Sequence, residues 1–248
     1  MLEVLNLTKC YQPLKILADF SLRVPRHGFT VLIGPSGCGK STLFNVLTGV
    51  VPRDSGQIKW RGAPLKHVGQ TAAYMQQRDL LLPWLSLFDN ALLPARIAGV
   101  ARDVSAPQAG ALFKRLGLSG FESYLPRQVS GGMRQRCALV RTLMFERDLV
   151  LLDEPLSALD AITRRSLQSL LLLLQSEFGK SILMITHDIE EALLLADEVV
   201  LLSRPPMQIE ARFRLAQAKP RDINNPQLLA IKTHVLARLQ KEADHDRA

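Results

Sequence analysis

The 248-residue chain has few cysteines and no long apolar run. Its three cysteines, Cys10, Cys38 and Cys137, show none of the spacings that are typical of metal or redox sites, which fits a reducing compartment. No apolar stretch approaches the roughly 20 residues that a membrane-spanning helix needs. The amino-terminal residues have neither the basic nor the apolar region of a secretory signal. These absences argue against a disulfide-stabilised secreted protein and against an integral membrane protein.

Clustered positive charge is also missing, although the formal net charge is +8 at pH 7. Lysine and arginine are scattered, with no run of five or more. Nothing resembles the interleaved aromatic and basic residues that bind single-stranded nucleic acid. We therefore interpret the positive balance mainly as solvated surface, with a smaller contribution to contacts with anionic lipid head groups. No nucleic-acid partner is expected.

Hydrophobic residues make up 47% of the chain, enough to bury a core. Strand-like and helix-like patterns alternate, which predicts an α/β fold with a mainly parallel sheet. The predicted strands are 2–7, 20–24, 29–33, 57–60, 72–75, 149–152, 182–185, 199–202 and 208–213, and the predicted helices include 42–48, 159–177, 189–196 and 226–241. Between about 80 and 146 strand patterns disappear, and helical patterns broken by prolines indicate an insertion. We expect one domain over 1–248, with its core at 1–79 and 147–220, a helical subdomain at about 80–146 and a C-terminal helical segment at 221–248.

The most informative segment is residues 34–41, which matches G-x-x-x-x-G-K-[S/T] between a predicted strand and a predicted helix. In such a loop, backbone N–H groups and the positive end of the helix bind phosphate oxygens. Lys40 is expected to reach the β- and γ-phosphates, and the Ser41 hydroxyl to hold Mg²⁺. The nucleotide-binding residues predicted here are Gly34, Pro35, Ser36, Gly37, Cys38, Gly39, Lys40, Ser41 and Thr42. The alternative, a glycine-rich turn that matches by chance, is disfavoured by the flanking strand and helix.

Two carboxylates, Asp153 and Glu154, follow the apolar strand 149–152. Ligands of open α/β sheets bind at the carboxyl ends of the strands. Asp153 is therefore predicted to hold Mg²⁺, directly or through water, and Glu154 to accept a proton from the attacking water. The alternative is a surface turn after a buried strand, which the presence of a phosphate-binding loop disfavours.

A second anion-binding helix start is predicted at Ser130-Gly131-Gly132, before a helix at 133–145. One nucleotide does not need two phosphate sites in one chain, so this site is expected to serve a nucleotide held by another subunit. Two-fold symmetry then gives two such sites in a homodimer. The alternative is an ordinary capped helix, because Ser and Gly suit that position.

In this order, the motifs resemble those of the ATP-binding-cassette (ABC) ATPases over nearly the whole chain. The resemblance implies a P-loop NTPase fold, with a RecA-like parallel core, an antiparallel β subdomain and an inserted α-helical subdomain. It adds a D-loop at Ser157-Ala158-Leu159-Asp160, a switch histidine at His187, and Tyr11 against adenine. It also implies a glutamine that touches Mg²⁺ and water, at Gln76 or Gln77, of which the spacing to Leu-Leu-Pro83-Trp84 favours Gln77. Tyr11 as a strand-end aromatic and His187 as a capping or core histidine stay open as alternatives.

Under this resemblance the catalytic residues are Glu154, His187, Gln77 and Lys40. The metal-binding residues are Ser41, Gln77 and Asp153, and the nucleotide also meets Tyr11, Ser130, Gly131, Gly132 and Asp160. The ligands implied are ATP and Mg²⁺.

Three stretches, 78–84, 130–135 and 187–193, look like those of uptake ATPases for nitrate, sulfonates, taurine and thiamine-precursor pyrimidines, and 74–84 leans towards the pyrimidine branch. The implied partners are integral-membrane permease subunits, a second copy of the chain and, indirectly, an extracytoplasmic substrate-binding protein. The implied location is the cytoplasmic face of the inner membrane. One alternative is a soluble ABC ATPase that acts on nucleic acid or ribosomes, although the chain holds one cassette and no heptad insertion. A P-loop kinase or GTPase is disfavoured by Ser-Gly-Gly and by the lack of Asn-Lys-x-Asp.

Overall fold

A six-stranded sheet, mostly parallel, organises the computed structural model, which describes residues 1–157 and 159–244. The order of its strands is β10-β9-β3-β8-β7-β6, and only the edge strand β10 runs antiparallel to its neighbour. A smaller antiparallel sheet has the order β2-β1-β4-β5. The strands are β1 Leu2–Tyr11, β2 Leu14–Val24, β3 Phe29–Ile33, β4 Ser55–Trp60, β5 Ala63–Leu65, β6 Ala72–Met75, β7 Leu149–Asp153, β8 Ser181–Ile185, β9 Glu198–Leu202 and β10 Ile209–Arg214. The helices are α1 Lys40–Thr48, α2 Leu87–Ile97, α3 Arg102–Arg115, α4 Gly131–Leu143, α5 Ala161–Ser176, α6 Ile189–Leu195 and α7 Pro226–Asp244.

The central strands of the parallel sheet are buried at every position. This is true of β3, β7, β8 and β9. Their short, nearly continuous apolar sequences are typical of strands covered by helices on both faces. Because β3, β8 and β7 are neighbours and parallel, the segments that follow them meet at one edge of the sheet. That edge therefore gathers residues 34–41, 153–154 and 186–188, as expected for ligand sites in α/β sheets.

The antiparallel sheet is longer and less regular than the sequence pattern suggests. Strands predicted at 2–7 and 20–24 extend to Leu2–Tyr11 and Leu14–Val24, and β5 was not predicted. The register between β1 and β2 shifts at three places, and Asn6 and Asp19 have positive φ angles of 50° and 52°. Each such irregularity breaks the period-two alternation on which a sequence prediction depends. The predicted boundaries of these two strands were therefore wrong, although the strands themselves are confirmed.

Helices α2, α3 and α4 lie between β6 and β7 in the chain, within the predicted insertion. Pro94 and Pro107 lie inside α2 and α3 and do not end them, contrary to the prediction that prolines break this region. Pro94 is buried and Pro107 is exposed, and Phe113 of α3 is fully buried in the apolar core that covers one face of the parallel sheet. The helix α4 begins at Gly131, two residues before the prediction, because the Ser130 side chain accepts a hydrogen bond from the Met133 N–H and caps the helix.

The last described element, α7, packs Leu228 and Val235 into this core. Its range confirms the helix predicted at 226–241, whereas residues 245–248 of the expected C-terminal segment lie outside the described residues. In the part of the chain that the structure describes, no helix combines the length and the apolarity needed to cross a bilayer.

Candidate functional site

The glycine-rich loop 34–41 connects β3 to α1 in the strand, loop and helix arrangement that the motif requires. Gly39 precedes α1 with a φ of 110°, and a Cβ atom there would lie 2.6 Å from Ile16 Cγ2. Gly37 has a φ of 76°, a conformation that side-chain-bearing residues rarely adopt. These glycines therefore permit the turn that directs the amino-terminal N–H groups of α1 at one point. A phosphate group is the ligand that such a helix start binds best.

Lys40 is buried beneath this loop. Its Nζ atom donates hydrogen bonds of 2.8 Å to the backbone oxygens of Gly34 and Pro35, and lies 3.7 Å from Cys38 Sγ. Among the described residues, no carboxylate lies within 4 Å of Lys40 Nζ. The loop thus positions a buried ammonium group without neutralising it, which leaves its charge available to an anion.

Asp153 ends β7 and is 4% exposed. Burial raises its pKa, the hydrogen bond from Ser41 lowers it, the Glu154 charge raises it and the Lys40 charge lowers it. The Asp153–Ser41 hydrogen bond joins the end of β7 to the first turn of α1, and so brings together two residues whose metal-binding role stays a prediction. Within residues 1–157 and 159–244, no group of three or more His, Cys, Asp and Glu side chains could hold a metal ion. A metal here would therefore depend on the Asp153 carboxylate, the Ser41 hydroxyl, the Gln77 amide oxygen and phosphate oxygens, and such oxygen ligands are the ones that Mg²⁺ prefers.

Glu154 is the centre of a small network of polar side chains. Its Oε2 atom lies 3.2 Å from His187 Nδ1 and accepts a hydrogen bond of 3.3 Å from Gln77 Nε2. Three segments that are distant in sequence thus converge on one carboxylate oxygen. Of the two glutamines that the sequence left open, Gln77 is the one whose contact with Glu154 the structure shows.

The backbone of Glu154 is held as firmly as its side chain. Its N–H donates to the Ile185 carbonyl at 2.9 Å, and its carbonyl accepts from Gln135 Nε2 at 3.0 Å and from Ser157 Oγ at 3.1 Å. The φ angle of Glu154 is 49°, which is uncommon for a residue with a side chain. Such strain persists only where the surroundings hold the backbone in place, and it clusters at functional sites.

The remaining predicted nucleotide residues lie apart from this network. Tyr11 ends β1 with 46% of its surface exposed, and Lys9 Nζ lies 5.4 Å from the centre of its ring. Ser130 caps α4, with Gly131 and Gly132 in the first turn. Asp160 caps α5 by accepting hydrogen bonds from the N–H groups of Ile162 and Thr163, and the Thr163 bond is the main cause that lowers its pKa. Ala158 of the predicted D-loop lies outside the described residues.

Sequence reasoning gave no separate role to three residues of α4 that organise the site. Gln135 holds the backbone of Glu154. Arg134 Nε donates to Asp79 Oδ2 at 3.0 Å, and Arg141 donates to the carbonyls of Asp79 and Leu80 at 2.7 and 2.8 Å. The arginines are seven residues apart, two helical turns, so they lie on one face of α4. They tie the segment after Gln77 to the helix that begins at the Ser-Gly-Gly motif.

The sequence and the fold are similar to those of known proteins. The ABC transporter family model matches residues 17–157. The taurine import ATP-binding proteins TauB of Escherichia coli and of Shigella sonnei are each 38% identical over 253 residues, covering 98% of this chain and 99% of theirs. A dimeric post-hydrolysis structure of the ATP-binding cassette MJ0796, bound to ADP and Pi, superposes with a TM-score of 0.81 at 26% identity and covers 88% of this chain and 100% of its own.

The chain belongs to the ABC transporter family. Its fold is that of the P-loop NTPase cassettes, and its activity is that of an ATPase, as the resemblance implied. Binding of ATP follows from the family as well. The roles of the individual residues, and the division of the chain into subdomains, stay predictions.

Proposed function

We propose that this protein is the ATP-hydrolysing subunit of an importer for a small sulfonate such as taurine. The observation that carries the ATPase part is the convergence of Gln77, Glu154 and His187 beside the phosphate-binding loop. The names and the nearly complete coverage of the TauB relatives support the cargo. They favour a sulfonate over the pyrimidine precursor towards which residues 74–84 lean.

In the proposed reaction, Glu154 accepts the proton of the attacking water at Oε2. Gln77 orients the Glu154 carboxylate by donating a hydrogen bond to the same oxygen. His187 shares that oxygen through Nδ1. When the ring is protonated, Nδ1–H donates to Glu154 and Nε2–H is free to donate to the γ-phosphate. Lys40 provides positive charge at the phosphates. Positioning and charge therefore supply most of the rate, as in other phosphoryl-transfer enzymes.

The Ser41 hydroxyl, the Asp153 carboxylate and the Gln77 amide form the donor set that we propose for Mg²⁺. The buried, pKa-raised carboxylate of Asp153 fits this role, because a buried charge with few partners is costly until a cation compensates it. When bound, Mg²⁺ would neutralise charge on the phosphates.

An Asp153→Asn substitution is expected to stabilise the nucleotide-free protein at pH 8, raising Tm by about 2–4 °C. A carboxyl group with a raised pKa in the folded state binds its proton more tightly there than in the unfolded state. The wild type therefore loses stability as pH rises from the ordinary carboxyl pKa through the folded value, and the variant does not. Scanning calorimetry at pH 5 and pH 8 checks this.

The same variant should lose most of the additional stability that Mg²⁺–ATP gives the wild type. Asp103→Asn, in the exposed first turn of α3, is the control and should behave as the wild type. A lower Tm for Asp153→Asn at pH 8 without ligand would mean that the hydrogen bond from Ser41 outweighs the cost of burial.

We further propose that two copies of the chain bind ATP between the loop 34–41 of one and the Ser130-Gly131-Gly132 helix start of the other. The dimeric structure of the MJ0796 cassette supports this arrangement. Tyr11 and Asp160 are proposed to complete the nucleotide site. Both are exposed, which leaves them accessible to a partner or an adenine ring.

The proposed membrane partner is a permease that contacts the segment after Gln77. Trp84 there is 71% exposed and Leu80 is 50% exposed, which leaves two large apolar side chains for a partner. The protein would then lie at the cytoplasmic face of the inner membrane, and a substrate-binding protein would act only through the permease. The alternative, a soluble ABC ATPase acting on nucleic acid or ribosomes, would leave this surface without an apolar partner.

Purification of the tagged protein from detergent-solubilised membranes tests the proposal. Mass spectrometry should find a permease with several membrane spans, and Trp84→Ala should reduce its recovery several-fold. Leu236→Ala, which removes an exposed leucine of α7, should not. Uptake of labelled taurine by cells with the wild-type gene should exceed uptake of nitrate or hydroxymethylpyrimidine. Recovery of only ribosomes or soluble proteins would favour the alternative.

A further inference from the structure

A buried carboxylate that the proposed mechanism does not use lies directly behind the segment of His187. Glu191, in the first turn of α6, is 4% exposed, and its Oε2 atom accepts a hydrogen bond of 2.8 Å from Thr186 Oγ1. The same Thr186 hydroxyl accepts a hydrogen bond of 3.1 Å from the N–H of Asp188. The Thr186 hydroxyl, on one side of His187, thus contacts both Asp188 on the other side and the buried Glu191.

The arrangement differs from an ordinary capping box. Asp188 is the N-cap of α6 and accepts from the N–H groups of Glu190 and Glu191 at 2.8 and 3.2 Å. In a capping box the carboxylate of the third helical residue, here Glu191, would accept directly from the N–H of the N-cap residue. Here the hydroxyl of Thr186 lies between them. The helix is already capped by Asp188, so the additional contact serves the strand-to-helix segment that carries His187.

Glu191 is also connected to a second element of the site. Arg164, in the first turns of α5, places Nε 3.7 Å from Glu191 Oε1 and donates through Nη2 to the Leu159 carbonyl at 3.1 Å. Leu159 directly precedes Asp160, the N-cap of α5. The D-loop and the switch segment are therefore linked within one chain by Arg164, Glu191 and Thr186.

Burying a carboxylate here has a cost. Burial raises the pKa of Glu191, and the Thr186 hydrogen bond and the charges of Arg164 and His187 offset this only in part. The adjacent Glu190 has no such constraint, since it is exposed and contacts Lys232 of α7 at 2.5 Å. Burying a charged carboxylate costs free energy unless hydrogen bonds and positive charges compensate it, so its presence here indicates a function for these contacts.

The imidazole of His187 has little packing of its own, because 65% of the side chain is exposed. Its place 3.2 Å from Glu154 therefore depends on the backbone of residues 186–188. We propose that Glu191 is a positioning residue for ATP hydrolysis, which holds His187 beside Glu154 through Thr186 and is itself placed by Arg164. This inference rests on the proposed roles of His187 and Glu154.

The test compares Thr186→Val, which removes the hydroxyl at nearly constant volume, with Thr186→Ser, which keeps it. Thr186→Val should lower kcat about 10-fold or more, since small errors in the position of reacting groups are costly. The KM for ATP and the Kd of ATP should stay within about twofold. Thr186→Ser should restore most of kcat. Glu191→Gln keeps an acceptor for Thr186 and should lose less kcat than Glu191→Ala, whereas Glu190→Gln should match the wild type.

The decisive measurement repeats Thr186→Val and Glu191→Ala in a His187→Ala background. If both residues act through His187, neither substitution should lower kcat further there. Further losses of equal size in that background, or full activity of Thr186→Val, would overturn the proposal. Normal kcat for His187→Ala alone would contradict the proposed site instead. If Thr186→Val does not fold, as thermal unfolding would show, Glu191→Ala compared in the wild-type and His187→Ala backgrounds decides the question.

Discussion

Replacing Glu154 by glutamine should lower kcat for ATP hydrolysis by at least about 100-fold, the lower range of what a positioned general base contributes. The amide cannot accept the proton of the attacking water. Glutamine has the same shape and keeps an oxygen that accepts from Gln77, so the network should persist. The backbone contacts at 2.9 and 3.0 Å with Ile185 and Gln135 do not involve the substituted group.

Binding of ATP should therefore be retained, with a Kd within about threefold of the wild-type value, because Glu154 lies at the water and not at the phosphate-binding loop. Single-turnover hydrolysis and equilibrium titration with a fluorescent ATP analogue measure the two quantities separately. Glu177→Gln, an exposed acid after α5, is the matched control and should leave both unchanged. Near-normal turnover of Glu154→Gln would falsify the assignment of the base.

A Lys40→Ala substitution should impair both binding and hydrolysis. Hydrogen bonds to charged groups contribute about 1.5–3 kcal/mol each, so loss of the ammonium should weaken ATP binding by about 10- to 100-fold. Turnover should fall further, because the same charge stabilises the transferring phosphoryl group. This is the second large effect that the site predicts.

A structural effect of that substitution has to be separated from the chemical one. Lys40 Nζ donates to Gly34 and Pro35 at 2.8 Å, so alanine also removes two contacts that hold the loop. Thermal unfolding without nucleotide reports that part, and Lys66→Ala removes a lysine from an exposed position as a charge control. If Lys40→Ala bound ATP with wild-type affinity, the ammonium would have no place in the phosphate site.

The sequence predicts this fold well where the pattern is local. The central strands β3, β7, β8 and β9 are short, mostly apolar segments, and this local pattern is enough to predict them. In the structure they are buried at every position. Strands β1 and β2 of the antiparallel sheet are half exposed and carry register shifts, and their predicted boundaries are wrong. Pro94 and Pro107 were predicted to break helices, but both lie inside them. Pro94 is buried by packing that no local pattern reveals, whereas Pro107 lies at an exposed position of α3.

In the candidate site too, the features that the sequence predicts are the local ones. The loop 34–41, the Asp153-Glu154 pair and the Ser130-Gly131-Gly132 helix start are contiguous motifs, and their chemistry follows from neighbouring residues. For this reason the sequence by itself determined the class of reaction. It also predicted roles for Gln77 and His187, through the resemblance to a family with that order of motifs.

Only the tertiary structure decided which side chains meet. The order β3-β8-β7 brings Glu154 beside His187, and the packing of α4 brings Gln135 to the Glu154 carbonyl. The link from Arg164 through Glu191 to Thr186 joins two helices and a strand end that no spacing in the sequence connects. Such contacts arise from the pairing of strands and the burial of helix faces, which are long-range events. Local motifs therefore specify the chemistry, whereas the fold specifies how its groups are held in place.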